Sequence, residues 1–357
     1  MGAKTPVASL FIVCVVFSVT DPLAGDDLQN RRVVDWHVHI AGLGYGGSGS
    51  FVSEEMRKNY RFKFFLKWMD VSEKELKRYG DQILFRKLDT KIAQSKYIDQ
   101  AVILALDGVI DKEIKKLDTL NTQVFVPNDF VARETARYPT LLYGASINPN
   151  RTDSLELLEE AHRRGAVLVK WIPSIMNIDP ADRKFKPFYK RLVELNMPLL
   201  THTGRERAFP HSRDELADPR RLVLPLTCGV TVIAAHIATT GKSQGQDNFE
   251  RILPMFAEFP NLYTDISSLT QLNKRGYLAR ALKRPGLTAR MIYGSDWPLQ
   301  SFPLVSPWFH IRYIGLKNAW RVSRIYNKWD RDIKLKEAFG VPYSVFTRKL
   351  GVINQQN

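Results

Sequence analysis

Apolar residues fall along the chain in short β-branched runs that each end in something polar, and between these runs the apolar spacing changes to that of a helix face. The runs are Val33 to His37, Ile98 to Asp107, Leu141 to Asn148, Val167 to Pro173, Pro198 to Thr203, Val230 to Ile237, Leu262 to Ser267 and Met291 to Trp297. Helical patterns cover Asn128 to Tyr138, Thr152 to Arg164, Phe185 to Asn196, Arg220 to Thr227, Phe249 to Glu258 and Gln271 to Arg284. Punctuation agrees in places, with Asp153-Ser154 at one start and Gly165 after one end. Strand and helix in alternation predict parallel strands with crossover helices, and about eight strands predict an α/β fold, the (β/α)8 TIM barrel.

One stretch interrupts the alternation. After the first run comes a glycine-rich loop, Ala41 to Ser50 with Tyr45 in it, which suits a mobile rim of an active site. From Phe51 to about Ser95 the pattern is helical, with an aromatic cluster at Phe62 to Trp68 and Ser72-Glu73-Lys74-Glu75 opening a further segment. This helical insertion after strand 1 either covers the barrel mouth or packs outside it. No repeat or low-complexity linker divides the rest, so residues 30–350 are expected to form one domain.

The composition, 357 residues with 44% hydrophobic and 25% charged, is that of an ordinary globular protein. A formal net charge of +15 admits nucleic acid, an anionic membrane surface or an acidic substrate as partner. Lysine and arginine are spread through helices and turns without a dense aromatic-interleaved block, which argues against nucleic acid and for a small-molecule substrate. At the N-terminus Lys4, an apolar run from Val7 to Val19 and Thr20-Asp21-Pro22-Leu23-Ala24-Gly25 have the layout of a signal peptide over residues 1–24. The expected protein is exported, periplasmic in a Gram-negative source, with an uncleaved N-terminal anchor as the alternative. A lipid-modified Cys14 is disfavoured by Ile12 and Val13 before it. With the leader removed Cys228 is the sole cysteine, so a disulfide cannot staple the fold, no stable membrane span remains, and the oligomeric state is not legible.

Active sites of TIM barrels lie at the C-terminal ends of the strands. Those ends carry His37, His39, Lys170, His202, His236 and Asp296, whereas His162 sits in a helical pattern and His211 and His310 in loops. Residues i and i+2 of a strand face one side, so His37 and His39 should point together, with Trp36 and Val38 opposite. Two neutral imidazoles suit a divalent ion, although the pair alone is equally a chance His-x-His in a half-buried strand.

Asp35-Trp36-His37-Val38-His39, Thr201-His202-Thr203-Gly204, Ala235-His236 and Tyr293-Gly294-Ser295-Asp296-Trp297-Pro298 together resemble the amidohydrolase-related family of metal-dependent TIM-barrel hydrolases, whose branch includes aminocarboxymuconate semialdehyde decarboxylase. The resemblance runs from Val33 to the C-terminus, where Lys334 to Pro342 looks like the family's closing helix. It implies that His37, His39, His202 and Asp296 hold one divalent cation, zinc by ligand type with manganese as the alternative. Asp296 would move protons and His236 would polarise a carbonyl or act as acid and base. The implied reaction is attack of activated water on an amide, lactone or ester of a small acidic substrate. Non-oxidative decarboxylation on the same site and a catalytically dead binding protein are the alternatives. Lys170 would be either a free ammonium for a substrate carboxylate or, carboxylated, the bridge of a binuclear site that also uses His236; the mononuclear likeness favours the ammonium. Arg205, Arg207 and Lys242 are candidate carboxylate binders, and Tyr45, Trp171, Phe209 and Trp297 candidate pocket walls, with Trp171 and Trp297 placed among the substrate-binding residues.

Overall fold

The computed structural model describes residues 33–301 and 303–351, so residues 1–24, read from the sequence as a signal peptide, lie outside the described residues. Eight parallel strands follow in chain order: β1 (Val33–His39), β2 (Ile98–Leu104), β3 (Leu141–Gly144), β4 (Val169–Trp171), β5 (Leu199–Thr201), β6 (Val232–Ala234), β7 (Leu262–Asp265) and β8 (Met291–Ile292). Each pairs with the next within two sheets, β1 to β3 and β4 to β8. Two seams close the ring. At the first, Ala145 N donates to Leu168 O at 2.9 Å and Lys170 N to Ala145 O at 2.7 Å. At the second, Trp36 N donates to Tyr293 O at 3.2 Å, Asp296 N to His37 O at 2.9 Å and His39 N to Trp297 O at 3.0 Å.

The strand period of two sorts the side chains. Val34, Trp36, Val102, Leu104, Leu168, Leu200, Ile233 and Ile292 fill the barrel interior, with Leu350 packed into the same cluster. Alternate residues such as Val169, Trp171, Leu199 and Val232 belong to the larger core shared with the surrounding helices. β1 departs from this period, because its register against β2 slips between Asp35 and Val38. The extra residue changes phase: Val34 and Trp36 face inward below the slip, and His37 and His39 reach the site above it. Trp36 is therefore not on the face opposite the barrel interior, as uninterrupted alternation predicted. The buried Asp35 carboxylate supports the irregularity, accepting from His37 N at 3.1 Å, Ser295 N at 2.9 Å and Trp329 Nε1 at 2.7 Å.

Several helices are shorter than the pattern suggested, for identifiable reasons. Pro254 separates Asn248–Ile252 from Met255–Glu258, and Gly276, at φ 90, confines the α-helix expected from Gln271 to Tyr277–Leu282. The insertion forms helices Glu54–Lys58, Tyr60–Trp68, Glu73–Tyr79 and Ile83–Ala93. Ser72 and Glu75 make the reciprocal cap their spacing predicted, Ser72 N donating to Glu75 Oε2 at 2.9 Å and Glu75 N to Ser72 Oγ at 3.2 Å. The rim at Ala41 to Ser50, expected to be mobile, is tied down instead: Asp81 accepts from Gly44 N at 2.8 Å and Ser48 Oγ at 2.5 Å. Glycine at position 42 is required for this approach, since a Cβ there would stand 2.3 Å from Asp81 Oδ2.

Candidate metal and active centre

The strand ends bring His37, His39 and Asp296 to one point. His37 Nε2 and His39 Nε2 are 3.0 Å apart, and each lies 3.6 Å from Asp296 Oδ1. Ligands bound to zinc at roughly 2.0 to 2.1 Å in a tetrahedron stand about 3.3 Å from one another, so these three separations bracket what one ion needs. Burial, reinforced at His37 by the Lys170 charge and at His39 by His37, pushes both imidazoles well below their ordinary pKa and leaves neutral rings, the form that binds a metal ion. Asp265, at the end of β7, stands 2.8 Å from His37 Nδ1, which places the ring proton on Nδ1 and the lone pair on Nε2. The same carboxylate accepts from His236 N at 2.9 Å and from Ser267 N at 3.1 Å through Oδ1.

His236 packs on this group from the next strand, its ring 5.3 Å from that of His37 and its Nε2 3.9 Å from Asp296 Oδ2. Its Nδ1 lies 3.2 Å from the Ser267 carbonyl, an acceptor only, so Nδ1 carries the proton and the neutral ring offers Nε2 as a base. Burial holds its pKa well below the usual value. The backbone here is forced: His236, Ile237 and Ala238 all have φ between 53 and 59, held by Asp265 on His236 N and by Thr264 Oγ1 on Ile237 N at 3.0 Å.

His202 stands beside His236, ring centres 5.4 Å apart, with its Nε2 buried, without a hydrogen-bond partner and 3.5 Å from Glu206 Oε2. It is not within the close group of His37, His39 and Asp296. The near cation is Lys170, fully buried, with Nζ 2.9 Å from His37 Nε2 and burial lowering its pKa to about 8. Asp296 moves the other way, to about 7, because burial outweighs the attraction of Lys274 and Lys170.

Above this floor lies a cavity of about 150 Å³, space for roughly ten water-sized groups. Lys170, His202, Arg205, Glu206, Arg207 and Lys274 give it a charged side. Met56, Phe62, Phe65 and Met69 from the insertion and Leu106 and Val124 from the loop after β2 give it an apolar side, so the insertion covers the mouth. Phe209 also lines it, whereas Tyr45 and Lys242 do not; Lys242 is exposed on a short ribbon and Tyr45 reaches toward Glu73. Trp171 and Trp297 require correction. Trp171 follows the inward Lys170 in β4 and so faces outward, packing on Phe188 and giving its indole proton to Ile147 O at 2.7 Å, and Trp297, beyond the end of β8, stacks on Trp329 at 4.5 Å.

Three members of the site were not singled out from sequence. Asp265 ends an expected strand and was findable by the same strand-end rule that found Asp296. Lys274, buried with Nζ 2.6 Å from Ser268 Oγ, fell inside a stretch read as helix, and burial lowers its pKa to about 8. Glu206 is set by the folding of the loop after β5, which no local pattern announces.

A family model described as amidohydrolase matches residues 88–316, and the chain belongs to that family of enzymes, whose members typically bind a divalent metal ion. Among solved structures, an uncharacterised TIM-barrel protein from Bordetella bronchiseptica aligns with TM-score 0.53 at 16% identity, over 86% of this chain and 99% of that one. A probable 2-pyrone-4,6-dicarboxylic acid hydrolase from Acinetobacter baumannii aligns at TM-score 0.47 and 14% identity, over 86% of this chain and 92% of that one. The 5-carboxyvanillate decarboxylase of Sphingomonas paucimobilis aligns at 0.41 and 12%, over 89% and 99%. At 16% identity the likeness to the Bordetella protein is one of fold. No curated protein matches the chain significantly.

Proposed function

We propose that the protein is a metal-dependent hydrolase that opens an amide, lactone or ester bond in a small organic acid. The observation that carries this reading is the convergence of two neutral imidazoles and a carboxylate under a cavity that is cationic at one side and apolar at the other. A divalent ion held by His37, His39 and Asp296, zinc by ligand type, would supply Lewis acidity toward a carbonyl and lower the pKa of water.

The chain's own groups do the rest. Lys170 and Lys274, both buried cations at the cavity floor, and Arg205 at its rim fit a substrate carboxylate. The aromatic and methionine wall receives the apolar part and excludes water from the reacting atoms. Asp296, 3.9 Å from His236 through its second oxygen, is placed to take the proton of the attacking water and pass it to the leaving atom. His236, with Nδ1 committed to Ser267, is a base in its neutral state, and polarises a carbonyl only after gaining a proton.

Export through the leader belongs to the same proposal and rests on the N-terminal apolar run; among the described residues no helix is long and apolar enough to cross a membrane. The test is turnover of carboxylate-bearing lactones, esters and amides by zinc-loaded protein in 18O-water. One 18O per bond cleaved, in the newly formed carboxylate, is expected. Carbon dioxide released without 18O incorporation would instead establish decarboxylation on the same residues and refute hydrolysis.

A further inference from the structure

From Ile266 to Trp329 the chain has one carboxylate, the buried Asp296, while lysine and arginine recur throughout. Within that stretch the segment Ile311–Ser323, helical on either side of a kink at Gly315 (φ 76, ψ 162) and entered through the short turn Pro307–His310, turns Ile314, Ala319 and Val322 inward. They pack with Val305 and with Leu335 of the helix Lys328–Ala338. Its outer face is both cationic and apolar. Arg312, Lys317, Arg321 and Arg324 are exposed, and among the described residues none of them has a carboxylate within ion-pair distance. Earlier in the same stretch Arg280 and Arg284 pair with Glu250, whereas the segment from Trp308 to Tyr326 has no acidic residue of its own. Interleaved with the four are Trp308 at 44% exposure, Leu316 at 66% and Trp320 at 55%, with Tyr326 at 97% just beyond the helix.

The geometry points to a peripheral membrane-binding face: the surface from Trp308 to Tyr326 docks on an anionic phospholipid bilayer. Unpaired arginines and lysine supply long-range attraction to lipid phosphates, and half-exposed tryptophans with a leucine between them suit the headgroup boundary, where one end of an indole is apolar and the other wet. Leu316 has no partner in a polar setting, and exposing it is costly in water alone. A second copy of the same face would set these cations against one another, so self-association is disfavoured by charge. Arg324 lies over the Trp320 ring at 4.8 Å, which holds the indole on the outer face. The inference is independent of the reaction at the barrel mouth.

The test is partition of the full chain onto vesicles of phosphatidylglycerol and phosphatidylcholine, compared with phosphatidylcholine alone, by sedimentation. Residues 1–32 are the same in every variant, so their contribution cancels. The expected result is stronger binding to the anionic vesicles and a blue shift of tryptophan emission. Each basic side chain near such a surface is worth roughly fivefold, so Arg312→Ala, Lys317→Ala and Arg321→Ala together should lower the anionic-vesicle partition about a hundredfold. Lys184→Ala, Lys186→Ala and Lys190→Ala remove the same charge from another face and should cost far less. Leu316→Ser with Trp320→Ser should weaken binding and leave its salt dependence in place. Equal losses in the two triple variants, equal binding to both vesicle types, or binding of single-stranded nucleic acid in place of vesicles would each overturn the inference.

Discussion

Replacing Asp265 by asparagine tests the metal centre through an atom that touches no metal. Oδ1 of Asp265 already accepts from His236 N, Ser267 N and Ser267 Oγ, so an amide oxygen must occupy that position. The amide nitrogen is then turned toward His37 Nδ1, where a carboxylate oxygen stood at 2.8 Å. His37 Nδ1 must become an acceptor, and the ring proton moves to Nε2, the atom that meets His39 and Asp296. Binding an ion then requires a donor-to-donor contact between Nδ1–H and the amide. Loss of such an orienting partner lowers metal affinity 10- to 100-fold, or about 1.4 to 2.7 kcal/mol. The metal-free protein should lose some stability as well, because His37 Nε2, which accepts from Lys170 Nζ at 2.9 Å in the native protein, would then present a proton to that donor. The assay is zinc affinity by chelator competition, with the His37 tautomer read from the 15N shifts of its ring. Zinc affinity within twofold of the native protein, or a ring still protonated at Nδ1, would refute the reasoning.

Three further outcomes are expected. Lys170→Met should leave one metal equivalent per chain while raising KM for a carboxylate-bearing substrate by one to two orders of magnitude, as loss of a buried charged partner does; two equivalents in the native protein falling to one in the variant would instead show that Lys170 bridges two ions. Asp81→Ala strands the buried Ser48 hydroxyl and the Gly44 N–H, which should cost roughly 2 to 4 kcal/mol in urea unfolding and open residues 41–50 to protease; an unchanged midpoint counts against the tied rim. Asp35 has its pKa raised by burial to about 6, above its ordinary value of 3.8, so the folded state keeps a proton that the unfolded chain releases. Its contribution to stability is therefore greatest at low pH and falls by roughly 3 kcal/mol as pH rises from about 4 to 6. The difference in unfolding free energy between the native protein and Asp35→Asn should carry that slope, and a flat difference across this window would remove the argument.

The likeness between expectation and fold is greatest where the physics is local. The barrel follows from runs such as Leu141 to Asn148 alternating with amphipathic helices, because parallel strands need crossover connections and the polar strand ends must then share one rim. That rule alone selected His37, His39, Lys170, His202, His236 and Asp296, and applied evenly it would have selected Asp265. It did not decide phase. A strand with period two cannot send both Lys170 and Trp171 inward, and which of the two faces the site depends on neighbours distant in the chain.

Sequence by itself determined the element order, the barrel and the set of polar strand-end residues that gather at one rim, since those depend on periodicity and residue chemistry. Tertiary structure decided the rest. The slip in β1 exists because Asp35 finds Ser295 and Trp329, 260 and 294 residues away. Lys274 and Glu206 enter the site because loops fold back over it, and the cavity has an apolar side because the insertion closes on the mouth. These are long-range packing outcomes, in which burial and hydrogen-bond satisfaction between segments far apart in the chain override what each segment would do alone.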